Sequence, residues 1–286
     1  MKNTLTLAIQ KSGRLSDGTI QLLRQCGIKV SNGTNHLKAR AEGFPLEILL
    51  LRDDDIPQYV ADSVADIGIL GLNEVYEKDK DIEIVKALGF SKCRISVAVP
   101  RNVEYKSNGW LMGKRIATSY PKILEKYLIE NKIQAEIHTI SGSVEVTPSV
   151  GLADAIFEIV SSGGTLLSNG LEEVEVVMQS EAVLVANKNL SEAKKELLKK
   201  LVFRIESVQK AQRNRYILLN APTEKLDEII RIIPGMKSPT ILPLATPNWV
   251  SLHSVIGEDD FWEVIGSLKE AGAEGILVVP IEKMVI

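Results

Sequence analysis

Two stretches of the chain carry residue types suited to a phosphorylated ligand. In residues 150–166 (VGLADAIFEIVSSGGTL), five small residues stand in a row: Ser161, Ser162, Gly163, Gly164 and Thr165. Glycines let backbone N–H groups approach an anion closely, and the three hydroxyls add donors. Asp154 and Glu158 lie just upstream, where carboxylates can accept hydrogen bonds from sugar hydroxyls, directly or through a metal. Leu152, Ile156, Ile159 and Val160 recur at helical spacing, which predicts a helix that carries Asp154 and Glu158 on one face. The same five small residues also suit a plain Ser/Gly connector.

The second stretch opens the chain. Residues 5–9 read as a short buried strand and end in Gln10, Lys11, Ser12, Gly13 and Arg14. A helix follows from Ser16, a suitable N-cap with Asp17 beside it, to Gln25, and Gly27 stops it. A strand, a basic glycine-containing turn and a helix make the first half of a βαβ unit. Ligands of open parallel sheets sit at such turns. Lys11 and Arg14 are equally compatible with solvated surface charge.

The elements that must position these turns follow from periodicity and punctuation. A strand over residues 46–51 ends in Arg52, Asp53, Asp54 and Asp55. Adjacent carboxylates point in different directions, so the run fits a helix's first turn and pairing with Arg52 better than a metal cage. A helix over 57–64 leads to a strand at 65–71, whose Gly68 and Gly71 permit close approach of a backbone or ligand. Further strands are predicted at 82–88, 94–99, 113–118, 135–140, 174–177 and 182–186, with an amphipathic helix from Pro121 through Ile129 and a charged helix over 191–210. The last third changes character: strands at 216–220, 240–244, 249–255 and 275–279, and helices at 223–233 and 258–271. That order is βαββαβ, a ferredoxin-like sandwich with its own core, beginning near residue 213.

Composition narrows the class. At 286 residues, with 45% hydrophobic and 25% charged residues, the chain suits a globular protein of two or three domains. A net charge of −3 with dispersed basic residues lacks the footprint of a nucleic-acid binder. No apolar run approaches the length of a membrane span, and the first residues lack an export-signal pattern, so a cytoplasmic location is expected. Cys26 and Cys93 are read as reduced thiols. With His36, His138 and His253 they form no metal-ligand spacing.

Taken in order, LAIQKSGRL (7–15), RDDDIP (52–57), DIGILG (66–71), RIATSYP (115–121), SGSVEV (141–146) and residues 150–166 resemble the ATP phosphoribosyltransferase family. The final βαββαβ segment, with PGMKSPT (234–240) and PIEK (280–283), resembles the regulatory domain of that family's long form. The resemblance implies an α/β fold: a two-lobed, periplasmic-binding-protein-like (type II) catalytic core plus a C-terminal ferredoxin-like (ACT-like) domain. It implies that the chain crosses between lobes twice, with lobe I at 1–94 and 181–212, lobe II at 95–180 and the regulatory domain at 213–286. It also implies Mg2+ dependence, dimers assembling into hexamers, and feedback inhibition by L-histidine.

In the implied reaction, adenine N1 of ATP attacks C1 of phosphoribosyl pyrophosphate and displaces pyrophosphate. Ser161, Ser162, Gly163, Gly164 and Thr165 would hold the 5′-phosphate, and Asp154 with Glu158 would face the ribose. Gln10, Lys11, Gly13 and Arg14 would meet phosphates of ATP or pyrophosphate, with Arg52, Arg94 and Arg115 as further cations. Tyr120 would stack near adenine or serve as a core aromatic. Asn220, Ser238, Thr240, Ala273 and Gly275 would line a histidine site. The chain departs from the family pattern at Glu158 and Asn73, where many members carry Asp, and at Ser149, where some carry a basic residue. The competing class is a two-lobed ligand-binding receptor or sensor domain, which fold alone does not separate from an enzyme.

Overall fold

The computed structural model describes residues 4–30, 37–233, 235–236 and 238–285. It divides into two compact units, residues 1–199 and 200–286. His36, Pro234 and Lys237, named above, lie outside the described residues.

The first unit begins with β1 (Leu5–Gln10), α1 (Arg14–Gln25), β2 (Lys29–Val30), β3 (Lys38–Glu42), β4 (Leu46–Leu51), α2 (Ile56–Ala61), β5 (Ile67–Gly71), α3 (Leu72–Lys78) and β6 (Ile82–Ala87). It continues with β7 (Cys93–Pro100), β8 (Arg115–Thr118), α4 (Pro121–Glu130), β9 (Glu136–Thr139), β10 (Ala155–Val160), α5 (Gly164–Ser168), β11 (Leu171–Ser180) and β12 (Ala182–Asn187). Helix α6 (Glu192–Gln212) spans the division between the units. The predicted boundary near residue 213 falls at the end of this helix rather than within it.

Two sheets organise the first unit. One has the order β2-β3-β4-β1-β5-β12-β6, and the other β11-β7-β10-β8-β9. Strand β1 runs parallel to β4 and β5, and β8 runs parallel to β9 and β10. The near-continuous apolar runs of β1, β4, β5 and β10 are what burial on both faces requires. Ala8, Leu49, Leu70, Val183 and Val185 of the first sheet pack with Ile56 and Val60 of α2. Ile95, Val97, Ile116 and Phe157 of the second pack with Ile123, Leu124 and Leu128 of α4.

The helix predicted from Leu152 to Val160 is not there. Ala155–Val160 is strand β10, held between β7 and β8. Consecutive Ile156 and Phe157 are both fully buried, in clusters on opposite faces of the sheet, which a one-sided amphipathic helix does not allow. A short apolar run fits both periods, and the neighbouring strands decide between them.

The chain passes from the first sheet to the second after β6 and returns after β11. The two crossings run side by side: Cys93 pairs with Ser180, Leu88 N–H donates to the Ala182 carbonyl at 2.9 Å, and Ala182 N–H donates to Phe90 O at 3.0 Å. Helix α1 lies against the first crossing. A Cβ on Gly18 would stand 2.4 Å from the Phe90 ring, so this contact needs glycine. Strand β10 is antiparallel to β7 and β5 to β12, so the carboxyl ends of β10 and β5 both lie at the crossings. The carboxyl-end turns of both sheets therefore meet there.

The second unit contains β13 (Asn214–Pro222), α7 (Leu226–Ile232), β14 (Thr240–Pro243), β15 (Trp249–Gly257), α8 (Glu258–Glu270) and β16 (Glu274–Pro280). Its antiparallel sheet has the order β14-β15-β13-β16, the arrangement of a ferredoxin-like βαββαβ sandwich. Ile217, Leu219 and Leu252 face Ile229 of α7 and Leu268 of α8 in its core. Among the described residues, no helix is long and apolar enough to cross a membrane.

Candidate active site

The Ser/Gly run forms the turn between β10 and α5. Gly163 takes φ 80°, the left-handed region, and opens the short helix, while Ser161, Ser162, Gly164 and Thr165 are exposed. Facing it is the turn between β1 and α1. Gly13 (φ 100°) starts α1, Lys11 N–H ties the turn to Leu51 O at 2.8 Å, and Gln10 is half-buried while Lys11 and Arg14 are exposed. The two turns touch: Arg14 Nη1 donates to Ser161 Oγ at 3.4 Å, across 147 residues of sequence. Arg52, at the end of β4, keeps a side chain 81% exposed and reaches Asp54 at 3.2 Å. The three-aspartate run forms a short 3-10 turn before α2, with Asp54 N–H donating to Asp53 Oδ1 at 3.1 Å.

The two carboxylates expected on one helix face stand at opposite ends of a strand. Four residues of strand span about 13 Å. Glu158 lies near the loop end and is buried. Its carboxylate accepts from the Ser119 hydroxyl at 2.7 Å, Ser119 N–H at 3.2 Å and Ile159 N–H at 2.9 Å. Burial pushes the Glu158 carboxyl up, and these hydrogen bonds pull against it.

Asp154 lies at the other end, where β8 and β10 begin in parallel. It accepts from Arg115 N–H at 2.9 Å and from the guanidinium at 3.1 and 3.3 Å, while Arg115 Nη1 donates to Gly151 O at 2.9 Å. Hydrogen bonds from Arg115 hold the Asp154 carboxyl below its usual range. Asp154 and Arg115 thus staple the strand starts together, on the sheet edge away from the Ser/Gly turn. The expectation that both meet ligand at that turn is corrected accordingly.

Two more expected contacts are already engaged within the protein. Arg94 forms a bidentate pair with Glu173 at 2.5 Å for each bond and donates to Ser161 O at 3.1 Å. Glu173 also accepts from the Ser96 hydroxyl at 2.7 Å. Arg94 therefore shapes the Ser/Gly turn with its charge largely matched. Tyr120 is 9% exposed, with its ring in the second sheet's core beside Ile123 and Phe157. Of the two readings of this residue, the structure favours the core aromatic.

Periodicity gives only a faint signal of α3 and none of the buried polar cluster it brings to the crossings. Asn73 Nδ2 donates to Tyr120 Oη at 3.3 Å and to Glu74 Oε1 at 3.1 Å, while Ser180 Oγ donates to Asn73 Oδ1 at 2.8 Å. Glu77 accepts from Lys122 N–H at 3.2 Å and Ile123 N–H at 3.1 Å. Leu72 and Val75, three apart after Gly71, are the available helical signal. Among the described residues, no group of three or more His, Cys, Asp or Glu is placed to hold a metal ion.

In the second unit, the residues expected to bind histidine fall on two sides of β15. Asn220 and Gly275 adjoin across β13 and β16, and Ala273 is buried beside them. Thr240 pairs with His253 on the far side, after exposed Ser238. Strand β15 thus stands between Thr240 and Asn220 in the sheet.

Glu74 generates a pH prediction. Burial, with Asp53 second, raises its carboxyl from 4.5 to about 7. The folded protein then keeps a proton that the unfolded chain has lost between those values, so stability falls as pH rises through that window. The full effect is roughly 3 kcal/mol. Glu74→Gln is expected to stabilise the protein at pH 8 and to be near neutral at pH 4.5, read by urea unfolding at both. Equal effects at the two pH values would contradict the raised pKa.

Comparison with known proteins bears on the whole arrangement. A family model described as ATP phosphoribosyltransferase matches residues 52–207, and one described as the HisG C-terminal domain matches residues 211–283. A protein named ATP phosphoribosyltransferase from Parabacteroides distasonis is 60% identical over 282 residues, covering 99% of this chain and 100% of its own length. One of the same name from Cytophaga hutchinsonii is 58% identical over 285 residues, covering 100% of both. Among solved structures, an ATP phosphoribosyl transferase (HisG:HisZ) complex from Thermotoga maritima matches with a TM-score of 0.61 at 28% identity, over 71% of this chain and 99% of that one. A histidine kinase sensor domain with similarity to periplasmic binding proteins matches with a TM-score of 0.51 at 11% identity, over 73% of this chain and 91% of that one, a likeness of fold alone. With both of its parts matched by family models and relatives aligned over its full length, the chain belongs to the ATP phosphoribosyltransferase family and is a transferase.

Proposed function

We propose that the facing turns at the crossings join ATP to phosphoribosyl pyrophosphate: adenine N1 attacks C1 of the ribose, and pyrophosphate leaves with inversion. The observation that carries this reading is the contact of Arg14 with Ser161, which brings a cationic strand-end turn against a hydroxyl- and glycine-rich one. The reaction builds positive charge on the ribose and negative charge on the departing pyrophosphate, so fixed charges and donors supply most of the catalysis.

The turn of residues 161–165 would take the 5′-phosphate through exposed N–H groups and the hydroxyls of Ser161, Ser162 and Thr165. Glu158, held at the loop end of β10 by Ser119, would accept from ribose hydroxyls. Lys11, Arg14 and Arg52 remain exposed to meet phosphates of ATP and pyrophosphate. No general base is needed, because adenine N1 carries no proton. Magnesium enters this proposal with the pyrophosphate, whose charge it would neutralise, since Mg2+ is commonly held by one or two carboxylates together with substrate phosphates. Assembly into dimers and hexamers and a cytoplasmic location belong to the same proposal, as does a place at the first step of L-histidine formation.

We also propose that L-histidine inhibits the enzyme through the second unit. Because Asn220 and Thr240 lie on either side of β15, the histidine site we propose takes groups from more than one strand pair, or from two chains.

Pyrophosphate release tests the facing turns. Glu158→Gln and Thr165→Val are each expected to lower kcat/KM by about 100-fold, the scale for losing one preorganised charged or donor group. Wild-type rates in both variants would remove the assignment. For the second unit, full-length protein is expected to be inhibited by L-histidine and a form lacking residues 213–286 to be indifferent. Insensitivity of the full-length protein would refute the regulatory reading.

A further inference from the structure

The first four N–H groups of a helix have no partner within it, and its N-terminus carries partial positive charge. Helix α4 begins at Pro121 after Tyr120, and no side chain at the N-cap position satisfies these groups. The group that does so comes from the other sheet's side of the molecule. Glu77, on α3, is 7% exposed, and its two carboxylate oxygens accept separately from Lys122 N–H at 3.2 Å and Ile123 N–H at 3.1 Å. A buried carboxylate is costly unless paired or hydrogen-bonded, and this helix end supplies both donors and field. One turn earlier on α3, Asn73 reaches Tyr120 Oη at 3.3 Å and exchanges hydrogen bonds with Ser180 at the return crossing. Tyr120 and the first turn of α4 are therefore held from the first lobe, directly after Ser119. Ser119 is in turn the residue that holds Glu158.

We propose that Glu77 is a positioning residue for the transfer reaction. By capping α4 across the lobe junction, it sets the second lobe's edge, with Ser119 and Glu158, at a fixed position against the turn of Lys11 and Arg14. The lobes of a solute receptor open and close around their ligand; here a charged cap holds one lobe to the other before substrate arrives. The inference rests on the proposed transfer reaction for its kinetic consequence, while the cap itself stands on the two hydrogen bonds.

The test uses full-length protein and three variants. Glu77→Ala removes both acceptors, Glu77→Gln keeps one, and Glu77→Asp keeps the charge on a shorter arm. Ribose 5-phosphate, which would need only the second lobe's 161–165 turn, is the probe for that lobe alone. In Glu77→Ala its affinity is expected to stay within twofold of wild type, while kcat/KM for pyrophosphate release falls at least tenfold. Glu77→Gln should fall between the two, and Glu77→Asp should recover part of the rate. Amide exchange at Lys122 and Ile123 should quicken by about tenfold in Glu77→Ala, the scale of a lost helix cap. A kcat/KM within twofold of wild type would overturn the proposal. So would a parallel loss of ribose 5-phosphate affinity, which would make Glu77 a stabiliser of the second lobe only. If wild type neither binds ribose 5-phosphate nor releases pyrophosphate, the transfer reading fails, and unchanged amide exchange would then sink the cap separately.

Discussion

The first unit depends on the pairing of β7 with β11. These two strands carry the chain into the second sheet and out of it, and they meet at Cys93 and Ser180 where both crossings lie. Because β10 runs antiparallel to β7, its carboxyl end is delivered to the crossings. The same logic, through β12 and β5, brings the carboxyl ends of the first sheet's parallel strands to the same place. Open parallel sheets bind ligands at their carboxyl ends, and here two such ends oppose each other. The polar cluster of Asn73, Glu74, Glu77 and Tyr120 fills the junction.

Charge in the first unit is divided between structure and availability, with Arg115 at the strand starts and Arg94 beside the Ser/Gly turn. Arg115 and Arg94 are matched to Asp154 and Glu173 by short, multiply hydrogen-bonded pairs. Each of those carboxylates is held below its ordinary range by its arginine. Such pairs fix geometry and leave little uncompensated charge for a substrate. Lys11 and Arg14 are exposed on the first turn, and Arg52 is largely exposed beside Asp54. A polyphosphate reaching the facing turns would meet these cations first.

Much of this is legible in the sequence. The apolar runs of β1, β4, β5 and β12, the glycine-bearing turns and the βαββαβ order of the second unit follow from period and punctuation. The two turns that meet, around Arg14 and Ser161, are legible as chemistry from residue types alone. The 152–160 segment is not, because its apolar spacing fits a helix, and only the neighbours β7 and β8 make it a strand. That change of period separates Asp154 from Glu158, which a helix would have kept on one face. Helix α3 is hard to foresee because it is seven residues long and its polar side chains Asn73, Glu74 and Glu77 are buried. What makes Asn73 and Glu77 important, their partners Ser180, Tyr120 and the start of α4, lies from 45 to 107 residues away in the chain. The receptor-like fold is likewise not decisive, since fold leaves function open.

In the proposed reaction, two turns from different lobes act together. The most direct measurement is a double-mutant cycle on kcat/KM for pyrophosphate release, using Arg14→Ala, Ser161→Ala and the pair. Residues that touch and share a transition state are coupled by about 0.5–3 kcal/mol. The double variant is expected to depart from the product of the single losses by at least about twofold. Losses that multiply, with no coupling beyond experimental error, would contradict it.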